Sequence, residues 1–151
     1  TEPLDEYERK GTDSLTLAFL DPFGFSGFPL ATVRRILSTP HCEVLVTFMA
    51  GHIRRFLDDL RADVLTALFG SEEWRQGVEL SGEPRVRFLL NLYEKQLTAV
   101  AGARFVRSFE MRGADGEVVY YMVFATTHPE GLKQMKEAMY AVDRRGRLPV
   151  Q

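Results

Sequence analysis

The chain has 151 residues, 45% of them apolar and 26% charged, and its 19 basic and 21 acidic residues leave a formal charge of −2. That length suits about one domain, able to bury roughly two-thirds of the surface its unfolded form exposes, so a core can form without a metal or a disulfide. The apolar fraction excludes a disordered chain, and the near-neutral charge excludes a nucleic-acid binder held by bulk charge while leaving room for a local basic groove.

Residues 1–13 carry five acids (Glu2, Asp5, Glu6, Glu8, Asp13) and two bases, and read as a flexible, solvated lead-in. The short apolar run Leu15-Thr16-Leu17-Ala18-Phe19-Leu20 stops at Asp21-Pro22-Phe23-Gly24-Phe25-Ser26-Gly27-Phe28. Pro and Gly forbid a continuing element there, so the run reads as a strand buried on both faces. Pro29 suits a helix N-terminus, Val33, Ile36 and Leu37 follow at helical spacing, and Pro40 ends the element. Glu43-Val44-Leu45-Val46-Thr47-Phe48 repeats the buried-strand pattern. Strand, helix and strand make a βαβ unit with parallel strands.

The middle of the chain, a helical insertion over 52–101, keeps Leu57, Leu60, Val64, Leu65 and Leu68 near a 3.6-residue period up to Gly70. Ser71 caps a fresh start that packs Trp74, and a long helix over 84–101 lines up Val86, Leu89, Leu90, Tyr93, Leu97 and Val100. Two strand-like runs, 105–111 and 117–125, flank the Gly113-Ala114-Asp115-Gly116 turn and predict an antiparallel hairpin. A last helix follows Thr126-Thr127-His128-Pro129, with Leu132, Met135, Met139 and Val142 on one face, and residues 144–151 form a basic tail. The expectation is a single α/β domain over 14–143, a Rossmann-like three-layer sandwich with parallel strands and a terminal hairpin. The seven-stranded class I methyltransferase sheet ends in such a hairpin, and four strands correspond to its second half. A smaller α/β fold fits the same pattern.

Several classes of chemistry are missing from the sequence. It has no Gly-x-Gly-x-x-Gly, Walker loop, His-Glu-x-x-His or nucleophile elbow. Three scattered histidines and one cysteine suggest no metal site, and Cys42 reads as a small buried hydrophobe. No apolar run approaches the roughly 18 residues of a membrane span. The opening residues lack signal-peptide character, so a cytoplasmic protein without membrane association is expected. Because the first residue is Thr, the true N-terminus is expected to have been removed or to lie upstream.

The turn that begins at Asp21 is the first candidate site, because open α/β sheets bind ligands at the carboxyl ends of their parallel strands. Asp21 fits an acceptor for an amino or hydroxyl group, Gly24 allows close backbone approach, and Phe23, Phe25 or Phe28 can stack on a planar base. The alternative is that Asp21 caps its turn and the rings fill the core. Arg54 and Arg55, just after the second strand, suit either phosphate or solvent. His128 and its neighbouring threonines suit an anion at a helix N-terminus, or simple capping by Thr127. His41 has no acidic neighbour that suggests a function.

Taken together, Phe19-Leu20-Asp21-Pro22-Phe23-Gly24, Glu43 to Met49, Phe69-Gly70, Glu73-Trp74-Arg75, Tyr121 to Lys133 and Lys136-Glu137-Ala138-Met139 resemble the three-Cys-motif partner family (TcmP). The blocks run in the family's order from Leu15 to Gly146, so the chain looks like that family's C-terminal portion. The family is similar in pattern to S-adenosylmethionine-dependent methyltransferases. In amino-methylating members of that superfamily an Asp/Asn-Pro-Pro-aromatic motif holds the target amine. Asp21 and Pro22 match its first two positions, while Phe23 and Gly24 depart from the last two.

The resemblance implies S-adenosylmethionine as cofactor, an amino group of a nucleic-acid base as target, and a three-cysteine-motif protein as partner. The glycine-rich cofactor loop would precede Leu15 and is not visible, so tight cofactor binding by this span is not expected. An open strand edge would remain, to be covered by an oligomer or by a missing N-terminal half. The readings are therefore a methyltransferase-like enzyme or a non-catalytic accessory module that docks on that partner. A nuclease-like domain ranks last, for want of the clustered acids a two-metal site needs.

Overall fold

The structure, a computed structural model, describes residues 15–21, 28–58 and 61–144. The acidic lead-in, the turn residues Pro22, Phe23, Gly24 and Phe25, and the basic tail beyond Arg144 lie outside the described residues. Four strands, β1 (Thr16–Leu20), β2 (Cys42–Phe48), β3 (Phe105–Arg112) and β4 (Val118–Thr126), form one mixed sheet in the order β1-β2-β4-β3. The β1 and β2 strands run parallel, whereas β4 is antiparallel to both β2 and β3. Five α-helices accompany them among the described residues: α1 (Leu30–Ser38), α2 (Ala50–Asp58), α3 (Ala62–Phe69), α4 (Gly82–Ala99) and α5 (Pro129–Arg144). A 3₁₀ turn, Glu73–Gly77, joins α3 to α4. None of these helices is long and apolar enough to cross a membrane.

The alternation of each strand divides the core between two faces. On one face Cys42, Val44, Val46 and Phe48 of β2 meet Val123 and Ala125 of β4 beneath α1 to α4. Tyr93 packs there against Phe48 and Phe69 with ring centroids 5.2 and 6.2 Å away, and Trp74 is fully buried with its indole N–H donated to Thr66 Oγ1 at 3.0 Å. On the other face α5 presses Met139, Leu132 and Met135 onto Leu45, Phe109, Met111 and Phe124.

The helix ends are closed by side chains from distant parts of the chain. Gln96, itself buried, donates to the carbonyls of Phe69 and Gly70 at the end of α3. Arg85 donates to the carbonyls of Gly77 and Val78 where the 3₁₀ turn ends. Each bond satisfies a carbonyl that a helix terminus leaves open.

Four sequence expectations need correction. The β1 strand is not buried on both faces: Thr16, Ala18 and Leu20 face the helices while Leu15, Leu17 and Phe19 are exposed. The reason is coverage, since α5, the helix on that face, packs chiefly on β3 and β4. The apolar run 57–68 falls in two helices, with Arg61 at a non-helical ψ of 70° before α3. Trp74 starts only a single 3₁₀ turn, with Ser71 Oγ accepting from the Glu73 N–H at 3.0 Å. The hydroxyl at the entry to α5 is that of Thr126, which accepts the His128 N–H at 3.0 Å, in place of the Thr127 cap expected.

Two stability predictions follow from this packing. Gly70 ends α3 with φ +62°, and a Cβ there would lie 2.5 Å from Leu30 Cδ2, whereas Gly102 (φ +87°) has open space. Gly70→Ala is expected to cost about 2 kcal/mol or more in denaturant unfolding, and Gly102→Ala only about 1 kcal/mol, the backbone share alone. The Tyr93 hydroxyl is buried with no hydrogen-bond partner among the described residues, and burial pushes its ionisation well above the ordinary value near 10. The folded state therefore holds the proton that the unfolded chain releases above pH 10, so stability is full below that pH and falls above it. Tyr93→Phe should be neutral or stabilising by about 1 kcal/mol at pH 7 and should flatten the alkaline decline.

Candidate functional site

The register fixes two rims of the sheet. Leu20 pairs with Val46 at the carboxyl end of the parallel strands, and Thr16 pairs with Cys42 at the amino end, roughly 13 Å away at strand spacing. Asp21, half-buried, stands at the carboxyl rim as the first residue beyond β1. From β2 the chain passes through Met49 into α2, whose Ile53 and Leu57 are buried while Arg54 and Arg55 are exposed. An inward face at i and i+4 sends the arginine pair outward. Asp21, Arg54 and Arg55 thus share a rim, but α2 packs toward α3, α4 and β4, not toward β1. Half-buried Phe28, just before α1, is the one ring of the aromatic turn among the described residues.

His128 does not belong to this rim. The β4 strand runs antiparallel to β2, pairing Phe48 with Tyr121 and Val44 with Ala125, so it delivers His128 to the amino end. There the His128 ring lies parallel to that of His41, with centroids 5.9 Å apart and 3° between planes. His41 holds φ +61°, a left-handed conformation uncommon outside glycine, in the tight turn where the Cys42 N–H reaches the Thr39 carbonyl.

Beside this turn is Glu43, only 5% exposed, with no hydrogen-bond partner for its Oε2 among the described residues. Its carboxylate lies against Gly131 in the first turn of α5, where the partial positive charge of a helix N-terminus favours an anion. Sequence reasoning missed His41 and Glu43. Their partners, His128 and Gly131, come from the far end of the chain, so no local spacing signalled either.

Chemically, the carboxyl rim offers one carboxylate acceptor at the mouth of a β-turn-helix connection. The amino rim offers a buried carboxylate and a stacked imidazole pair. Among the described residues no group of three or more His, Cys, Asp or Glu could hold a metal ion. A pocket of about 350 Å³ on α5, lined by Lys136, Glu137, Tyr140 and Ala141, contains none of the expected site residues. Compared with known proteins, the chain matches no family model, no curated protein and no solved structure.

The tight contact at the amino rim is testable. A Cβ on Gly131 would fall 1.7 Å from Glu43 Oε2, so alanine there must displace a buried carboxylate. Elsewhere in a helix Gly→Ala gains about 1 kcal/mol. Here Gly131→Ala should destabilise by about 2 kcal/mol, and the sign should reverse in a Glu43→Ala background, read as a double-mutant cycle by urea unfolding.

Proposed function

We propose that the chain is the substrate-side part of an S-adenosylmethionine-dependent, methyltransferase-like α/β protein of three-Cys-motif partner type, acting on an amino group of a nucleic-acid base. The observation that carries this reading is the strand order β1-β2-β4-β3. A parallel pair is followed by a hairpin whose second strand, and not its first, joins β2. This supports the likeness to the closing half of a class I methyltransferase sheet. Under that reading Asp21, at the carboxyl end of β1, is the group that meets the substrate.

The glycine-rich loop that the resemblance implies for the cofactor would precede Leu15 and lies outside the described residues. What S-adenosylmethionine would supply, when held by other residues, is the methyl group. Asp21's own part is to accept a hydrogen bond from the amine N–H and so orient the nitrogen lone pair.

A second reading, an accessory module that docks on a three-cysteine-motif protein, is favoured by Phe23 and Gly24, which depart from the last two positions of the amine-holding motif. Nucleoside titrations of isotope-labelled protein separate the two. The enzyme reading expects adenosine to bind at millimolar concentration with shifts centred on Asp21, and inosine, which lacks the exocyclic amine, to bind about tenfold more weakly. Asp21→Ala should abolish that preference. Equal binding of the two nucleosides, or a preference untouched by Asp21→Ala, contradicts the enzyme reading. Co-purification with the three-cysteine-motif protein would then favour the accessory module.

A further inference from the structure

Two of the three histidines, far apart in the sequence, meet at the amino rim. Both are half-buried, and neither ring makes a hydrogen bond or an ion pair among the described residues. Their backbones are fixed on either side of the pair. The His41 carbonyl accepts the Thr16 N–H at 2.7 Å, which ties it into the pairing of β1 with β2. The His128 N–H is donated to Thr126 Oγ1 at 3.0 Å, and its carbonyl accepts the Leu132 N–H in the first turn of α5 at 3.4 Å. His41 is also the one non-glycine residue with a positive φ among those described. Strained backbone of this kind persists only where its surroundings fix it, and it clusters at ligand sites.

We propose that His41 and His128 together chelate one divalent transition-metal ion such as zinc, with water in its remaining positions. Neutral imidazole is the commonest protein ligand for ions of this class. At a metal–nitrogen distance of about 2.0–2.1 Å the ring centroid stands about 3.2 Å from the ion, so two rings on one ion are at most about 6.4 Å apart. The observed 5.9 Å lies inside that limit. The rings are parallel, so binding requires a turn about χ2, a broad torsion in histidine, for each to aim a nitrogen at the shared ion.

The charge of the rim favours a cation over an anion. The buried Glu43 carboxylate already answers the partial positive charge at the start of α5, and its Oε2 has no hydrogen-bond partner among the described residues. No group of three or more His, Cys, Asp or Glu could hold a metal ion among those residues, so the imidazole pair makes an open, two-ligand site of modest affinity. The fold supplies what the sequence spacing does not: antiparallel insertion of β4 carries His128 back to the rim where β2 begins. This inference does not rest on the methyltransferase-like reading.

Titration of the full chain with Zn²⁺ at neutral pH, followed by calorimetry and by NMR of the histidine rings, tests it. One ion per chain is expected, with a dissociation constant in the micromolar range. The ring signals of His41 and His128 should shift, and those of His52, on α2 beyond the opposite end of β2, should not. Mg²⁺, which takes oxygen ligands, should bind far more weakly. His128→Gln and His41→Asn, the latter keeping a residue tolerant of left-handed backbone, should each weaken Zn²⁺ binding at least tenfold with circular dichroism unchanged, while His52→Gln leaves it alone. Should one of the two variants unfold, the other carries the test. No saturable binding at millimolar Zn²⁺, binding indifferent to both variants, or ring shifts confined to His52 would overturn the proposal.

Discussion

The burial of β2 on both faces and its pairing on both edges is the constraint around which the rest of the molecule is arranged. All seven residues from Cys42 to Phe48 are buried. The even-numbered ones anchor the layer of α1 to α4, and Leu45 anchors α5. A strand with neighbours on each side has no free backbone groups, and a strand covered above and below must be apolar on both faces apart from groups that find a special berth. Glu43 and Thr47 are the polar exceptions. Glu43 is accommodated where the N-terminus of α5 and a residue without a Cβ, Gly131, come together.

From β2 outward, the mixed direction of the sheet decides what can share a site. Parallel pairing with β1 sets Asp21 at the carboxyl rim. Antiparallel insertion of β4 sends the chain to the opposite rim before α5 begins. Asp21 and His128 therefore belong to different environments, although each follows a strand and precedes a helix. The carboxyl rim holds the half-buried Asp21 carboxyl at the end of β1. The amino rim is a packing junction where an imidazole pair and a buried carboxylate meet a helix start.

Much of the fold was legible in the sequence, for physical reasons. The run Cys42–Phe48 follows Pro40, is wholly apolar on one alternation and carries Leu45 on the other, a pattern that suits a central strand. The Gly113–Gly116 segment announced the hairpin, and Pro29 the start of α1. Even the position of β4 inside β3 has a correlate: Val118–Thr126 carries no charge, whereas Phe105–Arg112 carries three. Other features depend on partners that sequence spacing does not reveal. An apolar run such as Leu15–Leu20 reads alike whether one face is covered or two, and here α5 leaves one bare. The direction of β4 is invisible locally, so His128 looked like a companion of Asp21. Glu43 became notable only when Gly131, from the far end of the chain, was placed against it.

Site-resolved amide hydrogen exchange measures the central strand directly, since exchange from a doubly paired, doubly covered strand requires global unfolding. The account predicts that the amides of Val44, Leu45 and Val46 exchange at the rate set by global stability, and that those of Leu15, Leu17 and Phe19, turned away from β2 because Thr16 donates to the His41 carbonyl, exchange orders of magnitude faster. Exchange of the Val44–Val46 amides as fast as that of the outward β1 amides would contradict it.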